Sequence, residues 1–158
     1  MKENASFRTL VVIPLYNHGE TLRDVVVKAL EAGWPVLVVD DGSTDGGAAT
    51  VVDLDCQVFS LGENRGKGAA IMAAAAEAQK QGYGAIITVD ADGQLDPAEA
   101  HLLAAEAQEN WPSIVIGARK MDRDSAPGSS IFGRAFSNFW VRLECGRNLA
   151  DTQSGFRL

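Results

Sequence analysis

Residues 85–94 read AIITVDADGQ, an apolar run that leads directly into two carboxylates. The run has the length and the β-branched content of a buried strand, and α/β proteins bind ligands beyond the carboxyl ends of such strands. Asp90 and Asp92 stand one residue apart, so both can direct oxygen atoms at one hard cation, and a partly filled coordination shell leaves room for a diphosphate. The stretch therefore predicts a metal-dependent site for a phosphorylated ligand at a strand end.

A second acidic cluster follows another apolar run, which reads VLVV at residues 36–39. Asp40 and Asp41 come next and lead into a Gly-Ser turn, so a second pair of carboxylates stands at a predicted strand end. Two interpretations of Asp40 are open: a buried carboxylate that caps the turn, or a contact to the ligand. The two clusters together carry more weight than either alone, because a short acidic tripeptide is common by chance.

Strand patterns alternate with helical patterns along the chain, which predicts an α/β fold with a mostly parallel sheet and helices on both faces. The predicted strands cover residues 9–13, 35–39, 57–61, 85–89 and 113–117. The predicted helices cover residues 20–32, 47–52, 68–81, 97–110 and 130–145, and a polar loop covers residues 119–130. Asp96 followed by Pro97 predicts a helix cap and a first-turn proline, and in the helix that they open the pattern directs Leu102, Leu103 and Ala105 towards the core.

The length of 158 residues, of which 46% are hydrophobic, leads us to expect a single domain over residues 1–158. The net charge of −7 argues against nucleic acid as a partner, because neutralising phosphates requires a basic surface. A phosphorylated ligand would need a metal ion or a few nearby cations, for which the candidates are Arg65, Lys67, Arg119, Lys120, Arg123 and Arg134. No apolar run approaches the roughly 20 residues of a membrane span, so we expect a cytoplasmic protein.

Several common nucleotide and metal motifs do not fit this chain. Residues 62–68 read GENRGKG, which lacks the glycine spacing and the final Ser or Thr of a Walker loop. Residues 41–46 begin like a calcium-binding loop, but Val52 stands where the bidentate glutamate belongs. No glycine fingerprint of a dinucleotide site follows the first strand, and neither His18 nor His101 pairs visibly with a nucleophile.

Six motifs follow one another along the chain. They read VVIPLYN at 11–17, VVDDGSTD at 38–45, NRGKG at 64–68, DADGQ at 90–94, GAR at 117–119 and DTQSGFR at 151–157. In this order they resemble the inverting glycosyltransferases of family 2, in particular the branch of dolichyl-phosphate mannosyltransferases and polyprenyl-phosphate glycosyltransferases. The resemblance covers nearly the whole chain and implies the GT-A fold, a Rossmann-like three-layer α/β/α arrangement.

The resemblance also implies roles for individual residues. Contacts to the base and ribose of a nucleoside-diphosphate sugar are implied for Pro14, Tyr16, Val39 and Asp41. Contacts to the ribose and diphosphate are implied for Asp90, Ala91 and Asp92, while Arg119 would face phosphates of the donor or the acceptor. A Mg²⁺ or Mn²⁺ ion would be held by Asp90, Asp92 and Gln94, and the implied catalytic residues are Asp92 and Arg119. The mannosyltransferase branch usually has a glutamate at the position of His18.

We expect inverting transfer of one sugar from the nucleotide donor to a polyprenyl phosphate, or to another cell-envelope glycan acceptor, at the inner face of the membrane. A phosphate acceptor is already a nucleophile, and no motif for a general base is visible. Arg134 is either a contact to the acceptor phosphate or an ordinary surface residue of its helix. We also expect a catalytic core that is incomplete on its C-terminal side, with peripheral membrane contacts in the part beyond Leu158.

Two alternatives stay open. One is a fragment that binds nucleotide sugars without turning them over. The other, less favoured, is a receiver-type phospho-signalling module, because Asp40, Asp41 and Asp90 at strand ends imitate an acidic phosphorylation pocket. A receiver would begin with the strand before Asp40, whereas an earlier strand is predicted here at residues 9–13.

Overall fold

The computed structural model describes residues 8–110, 113–117 and 154–158. Within them, four strands form one parallel sheet in the spatial order β3-β2-β1-β4. The strands are β1 (Thr9–Leu15), β2 (Val36–Asp40), β3 (Gln57–Ser60) and β4 (Ala85–Thr88). All four lie where the apolar runs predict them. The predictions for Arg119, Arg134, the loop at 119–130 and the helix at 130–145 lie outside the described residues.

Helices join these strands, as the alternating pattern predicts. The α-helices are α1 (Gly19–Glu31), α2 (Lys67–Lys80) and α3 (Ala100–Glu109), and short 3₁₀ helices cover Gly47–Val51 and Pro97–Glu99. Both α1 and α2 begin and end within one residue of their predicted bounds. Asp96 caps the helical segment ahead of α3, as predicted, because its side chain accepts a hydrogen bond of 3.0 Å from the Ala98 backbone.

The side chains of β1 alternate between two hydrophobic clusters, one on each face of the sheet. Val11, Ile13 and Leu15 belong to the cluster that includes the buried side of α1. Leu10 and Val12 belong to the cluster that includes the buried alanines of α2. The sheet is therefore enclosed between helices, and the predicted three-layer α/β class is confirmed.

The predicted fifth strand at residues 113–117 is wrong. Ile116 forms only an isolated antiparallel bridge with Arg157, which also bridges to Thr88 at the end of β4. The backbones of Val115 and Leu158 exchange hydrogen bonds of 2.9 Å in both directions. The place beside β4 is therefore occupied by the segment 154–158, which comes much later in the chain and which a local pattern cannot place there.

The inward face of α3 also differs from the prediction. Leu103 is buried, but Leu102 is 57% exposed and Ala105 is exposed. Ala104 and Ala107 are buried in place of these two residues. The first turn is a 3₁₀ helix, so α3 begins only at Ala100. The buried residues Leu103, Ala104 and Ala107 lie three, four and seven residues after Ala100, which is the spacing of one helix face.

The carboxyl ends of β1, β2 and β4 meet at one edge of the sheet. Leu15 pairs with Asp40 in the parallel register, and Val12 pairs with Thr88. The residues that follow the three strands therefore emerge near one another. This is the edge at which open α/β sheets bind their ligands.

Candidate functional site

A cavity of about 370 Å³ opens at this edge of the sheet. Its lining residues are Pro14, Leu15, Tyr16, His18, Asp41, Asn64, Gly66, Lys67, Asp90, Ala91 and Asp92. The structure thus brings together residues that lie far apart in the chain and for which the motifs imply ligand contacts: Pro14, Tyr16, Asp41, Asp90, Ala91 and Asp92.

Asp41 ties the end of β2 to the loop before α2. Its side chain is buried, with 3% of the residue exposed, and its two oxygens accept backbone hydrogen bonds of 2.8 Å from Arg65 and Gly66. Its own backbone N–H donates to the Leu15 carbonyl at 2.9 Å. A single residue therefore holds three segments together and also lines the cavity.

Asp40 has the first of the two roles that the sequence leaves open. Its residue is buried, and its Oδ1 accepts a hydrogen bond of 2.9 Å from the Ser43 backbone, which closes the turn after β2. Asp40 is not among the residues that line the cavity. The capping interpretation is confirmed.

Asp90 stands where three parts of the chain meet. Its side chain is 26% exposed, and its Oδ1 forms an ion pair with the ammonium of Lys67, the first residue of α2. Gly155 also lies against Asp90, because an added Cβ there would collide with the carboxylate. The Thr88 hydroxyl holds Gly155 in this position beside Asp90, because it donates a hydrogen bond of 2.8 Å to the Gly155 carbonyl.

The turn that carries Asp92 is held by hydrogen bonds from both sides. The buried Ala91 accepts a hydrogen bond of 2.5 Å from the Thr21 hydroxyl of α1 through its carbonyl. Asp92 Oδ1 accepts a hydrogen bond of 3.0 Å from the Gln94 backbone, and Gly93 between them has a φ of 74°, which glycine adopts without strain. Asp92 is therefore presented to the cavity by a defined turn.

Asp90 and Asp92 fit a hard cation as a partial set of ligands. Carboxylate oxygens suit Mg²⁺ and Mn²⁺, and Mg²⁺ is often held by one or two carboxylates together with substrate phosphates. In the described ranges, no group of three or more His, Cys, Asp or Glu side chains is arranged to hold a metal ion. The two aspartates would therefore share such an ion with the ligand's phosphate oxygens.

The wall near Tyr16 and His18 is supported by the turn that follows β2. Asp45 accepts backbone hydrogen bonds of 2.9 Å from Gly47 and 2.8 Å from Gly19, and these bonds lower the pKa of its carboxyl below the usual value. Asn17 Oδ1 accepts a further bond of 2.8 Å from the Thr44 backbone. The start of α1 is therefore tied to the turn, which positions this wall of the cavity.

Two of the predicted ligand contacts do not line the cavity. The Val39 side chain is fully buried in the cluster on the α2 face of the sheet. Gln94 is exposed, and it supports the turn through its backbone hydrogen bond to Asp92. Arg119 and Arg134 lie outside the described residues. The implied contacts of all four residues stay predictions.

The structure also places residues in the site for which the motifs imply no role. Asn64 and Lys67 line the cavity, and Gly155 abuts Asp90. Lys67 is one of the candidate cations that the sequence offers for a phosphorylated ligand, and of the two that lie in the described residues, Arg65 and Lys67, it is the one that lines the cavity. Gly155 lies too far from β4 in sequence for any local signal to link the two.

Comparison with known families and curated proteins gives matches along most of the chain. The model of the family described as "Glycosyl transferase family 2" matches residues 10–139 of this chain. The undecaprenyl-phosphate 4-deoxy-4-formamido-L-arabinose transferases of Salmonella choleraesuis and Salmonella newport are each 32% identical over 156 residues, which covers 89% of this chain and 45% of the relative. The chain therefore spans just under half the length of these relatives.

Solved structures show the same architecture. Mannosyl-3-phosphoglycerate synthase from Rubrobacter xylanophilus matches with a TM-score of 0.73 at 19% identity, over 99% of this chain and 54% of that protein. TarS from S. aureus, solved in complex with UDP, matches with a TM-score of 0.54 at 23% identity, over 77% of this chain and 38% of that one. These likenesses confirm the GT-A fold that the motif order implies. The family match extends over more than half of the residues of the present chain, and this chain therefore belongs to glycosyl transferase family 2.

Proposed function

We propose that this chain carries the donor site of a glycosyltransferase that moves a sugar from a nucleoside-diphosphate sugar to a polyprenyl phosphate, with inversion at the anomeric carbon. The observation that carries the proposal is that Asp90 and Asp92 open into the same cavity as Pro14, Tyr16 and Asp41. Membership of family 2 and the similarity to the two Salmonella undecaprenyl-phosphate transferases support it.

The nucleoside would occupy the side of the cavity formed by β1 and β2. Tyr16 is 46% exposed and lines the cavity beside Pro14, so its ring offers a flat surface on which a base can stack. Asp41 accepts two backbone bonds and still has lone pairs for a donor group of the base or ribose. A contact from Val39 would have to come from its backbone, since its side chain is buried.

The diphosphate would lie against the opposite side, formed by the turn after β4. Asp90 and Asp92, with Gln94 as a further proposed ligand, would hold Mg²⁺ or Mn²⁺, and such an ion offsets the negative charge that grows on the departing nucleotide. Arg119 is proposed to contact the same phosphates. The hydrogen bonds that fix Ala91 and Asp92 keep this turn in place, so little reorganisation is needed when the donor binds.

The acceptor phosphate would approach from the face opposite the diphosphate. Its oxygen forms a bond to the anomeric carbon while the bond from that carbon to the diphosphate oxygen breaks, and the electron pair leaves with the nucleoside diphosphate. An anionic oxygen needs no general base for this step.

We propose Arg134 as a contact to the acceptor phosphate and the inner face of the membrane as the place of reaction. Within the described ranges, no helix is both long enough and apolar enough to cross a bilayer.

The test of this function compares the chain with an Asp92→Asn variant. Isothermal titration calorimetry with UDP, GDP and CDP, each with and without Mn²⁺, should show a Mn²⁺-dependent affinity for one of them. The variant should weaken that affinity by about tenfold or more, because a metal ligand loses its charge. Asp55→Asn is the matched control, since Asp55 is an exposed carboxylate that does not line the cavity. An unchanged affinity in Asp92→Asn would remove this residue from the metal site.

Transfer is then measured with the radiolabelled sugar of the preferred nucleotide. Vesicles that contain a polyprenyl phosphate should gain label, and vesicles that contain the corresponding polyprenol should not. Label in both kinds of vesicle would contradict the phosphate acceptor. Nucleotide binding without transfer to either lipid would instead support the alternative of a binding fragment without turnover.

A further inference from the structure

We propose that Lys67 is an exchangeable counter-ion of the donor site: it neutralises Asp90 while the site is empty, and it moves to the donor's phosphates when a cation binds Asp90. The inference rests on the proposed function, because it names a phosphate contact for the same donor. It assigns to Lys67 a role that the motif resemblance does not imply.

The position of Lys67 is set by the loop that Asp41 holds. Gly66 precedes it with a φ of 89°, and the Gly66 backbone donates to Asp41 and also to Asn64, at 3.0 Å. The chain then enters α2, so Lys67 leaves the first turn of the helix beside the end of β4. The ammonium therefore reaches Asp90 from a backbone whose geometry is fixed by other hydrogen bonds.

Lys67 pairs with one of the two carboxylates that would hold a metal ion. Its ammonium pairs with Oδ1, and Gly155 lies so close to both carboxylate oxygens that a Cβ there would collide with them. By contrast, Oδ2 of Asp92 accepts no hydrogen bond from the part of the chain that the structure describes. Asp90 and Asp92 would together hold a cation, and on this proposal the cation takes the place of the ammonium beside Asp90.

The displacement is easy because the pair is partly solvated. The Lys67 side chain is 52% exposed, and ion pairs that reach water contribute little net stability. Lysine also has a long flexible stem, so its ammonium can move by several ångströms without movement of the helix. The pair therefore neutralises the charge of Asp90, and the ammonium can still be displaced when a cation binds.

The charge balance of the cavity indicates where the released ammonium goes. Three aspartates line the cavity, Asp41, Asp90 and Asp92, and Lys67 is the one Lys or Arg among its described lining residues. Arg65, two residues earlier, pairs with Glu63 at 3.0 Å and does not line the cavity. A diphosphate would add negative charge to this acidic cavity, and the cation best placed to move to it is Lys67.

The test uses Lys67→Gln, which removes the charge and keeps most of the side-chain length. Two binding measurements on the intact chain should change in opposite directions. Mn²⁺ alone, followed by the electron paramagnetic resonance signal of the free ion, should bind about threefold more tightly, because the competing ammonium is gone. The preferred nucleoside diphosphate in saturating Mn²⁺ should bind about tenfold more weakly, while the free nucleoside should bind as before.

Lys80→Gln is the matched control, because Lys80 is a lysine of the same helix that also forms an ion pair, with Glu77, away from the cavity. It should change neither affinity. Lys67→Arg should keep the diphosphate affinity close to that of the parent chain, because it keeps the charge. Thermal unfolding of each variant shows whether the fold is retained.

Two results would overturn the counter-ion role of Lys67. Weaker or unchanged Mn²⁺ binding in Lys67→Gln would show that Lys67 does not compete with a cation for Asp90. An equal loss of nucleoside and nucleoside diphosphate affinity would overturn the phosphate contact, because it would indicate a merely structural role. If the parent chain bound no nucleotide at all, the proposed function would fail, yet the Mn²⁺ comparison would still decide whether Lys67 and a cation compete.

Discussion

At the scale of single residues, Asp41 serves the fold and the site with the same side chain. Its oxygens hold the Arg65 and Gly66 backbone, its N–H holds the end of β1, and its buried position still borders the cavity. Hydrogen bonds to a charged acceptor are among the stronger ones in proteins. The residue therefore determines where the loop before α2 lies relative to the strand ends.

We expect Asp41→Ala to destabilise the chain by about 1–3 kcal/mol, because hydrogen bonds to a charged acceptor are lost and their donors must find water. Urea unfolding followed by circular dichroism measures the change. The affinity for a free nucleoside should fall as well, since the proposed partner of Asp41 is the base or ribose. Asp55→Ala, an exposed carboxylate away from the cavity, should leave both values unchanged. A loss of diphosphate affinity alone would contradict the nucleoside contact.

At the scale of elements, the first turn of α2 reaches the site because the side chains on the buried face of this helix are small. Ala70, Ala74 and Ala78 are buried at successive turns and face a cluster from β1 and β2 that includes Val12 and Val39. Side chains of this size let the helix lie close to the sheet. The close approach places Lys67, at the start of the helix, beside the end of β4.

We expect Ala74→Leu to destabilise the chain by about 1–3 kcal/mol, because extra methyl groups in a packed core force side chains and backbone apart. Ala76→Leu on the exposed side of the same helix should change stability by less than about 0.5 kcal/mol. The two variants add the same atoms to the same element, so the difference in urea midpoint isolates the packing of the buried face. Equal midpoints would mean that α2 does not press against the sheet at Ala74.

At the scale of the whole molecule, the site is completed by a segment from the other end of the chain. Residues 154–158 lie beside β4, where the Thr88 backbone donates to the Arg157 carbonyl at 2.7 Å. Phe156 is buried in the cluster that also contains the buried side of α1. This docking places Gly155 against Asp90, so the position of a proposed metal ligand depends on contacts between distant parts of the chain.

We expect Gly155→Ala to weaken Mn²⁺-dependent nucleotide binding by about tenfold, because the new methyl group must push the Asp90 carboxylate away from its present place. Calorimetry measures the affinity, and thermal unfolding shows whether the segment still docks. Gly68→Ala is the control, since a Cβ at Gly68 would meet no atom within 4 Å. Retained affinity in a stably folded Gly155→Ala variant would show that Asp90 tolerates displacement and is not a critical ligand.

The sequence by itself determines the four strands of the sheet, the edge that carries the site and most of the residues at that edge. Apolar runs favour strands wherever they occur, and the carboxyl ends of parallel strands share one edge, so Tyr16, Asp41 and Asp90 meet for reasons that are local to each run. The cap at Asp96 follows from its own side chain and Pro97 in the same way.

Only the tertiary structure decides which of several equivalent faces and partners is used. Alanines lie on every side of α2, so its local pattern does not indicate that Ala74 faces the sheet and Ala76 faces water. The segment 113–117 has the composition of a strand, but the place beside β4 goes to Arg157, because contacts over long sequence separation depend on the docking of the whole chain. The pairing of Lys67 with Asp90, across 23 residues, arises in the same way, since neither residue's neighbours carry information about the other.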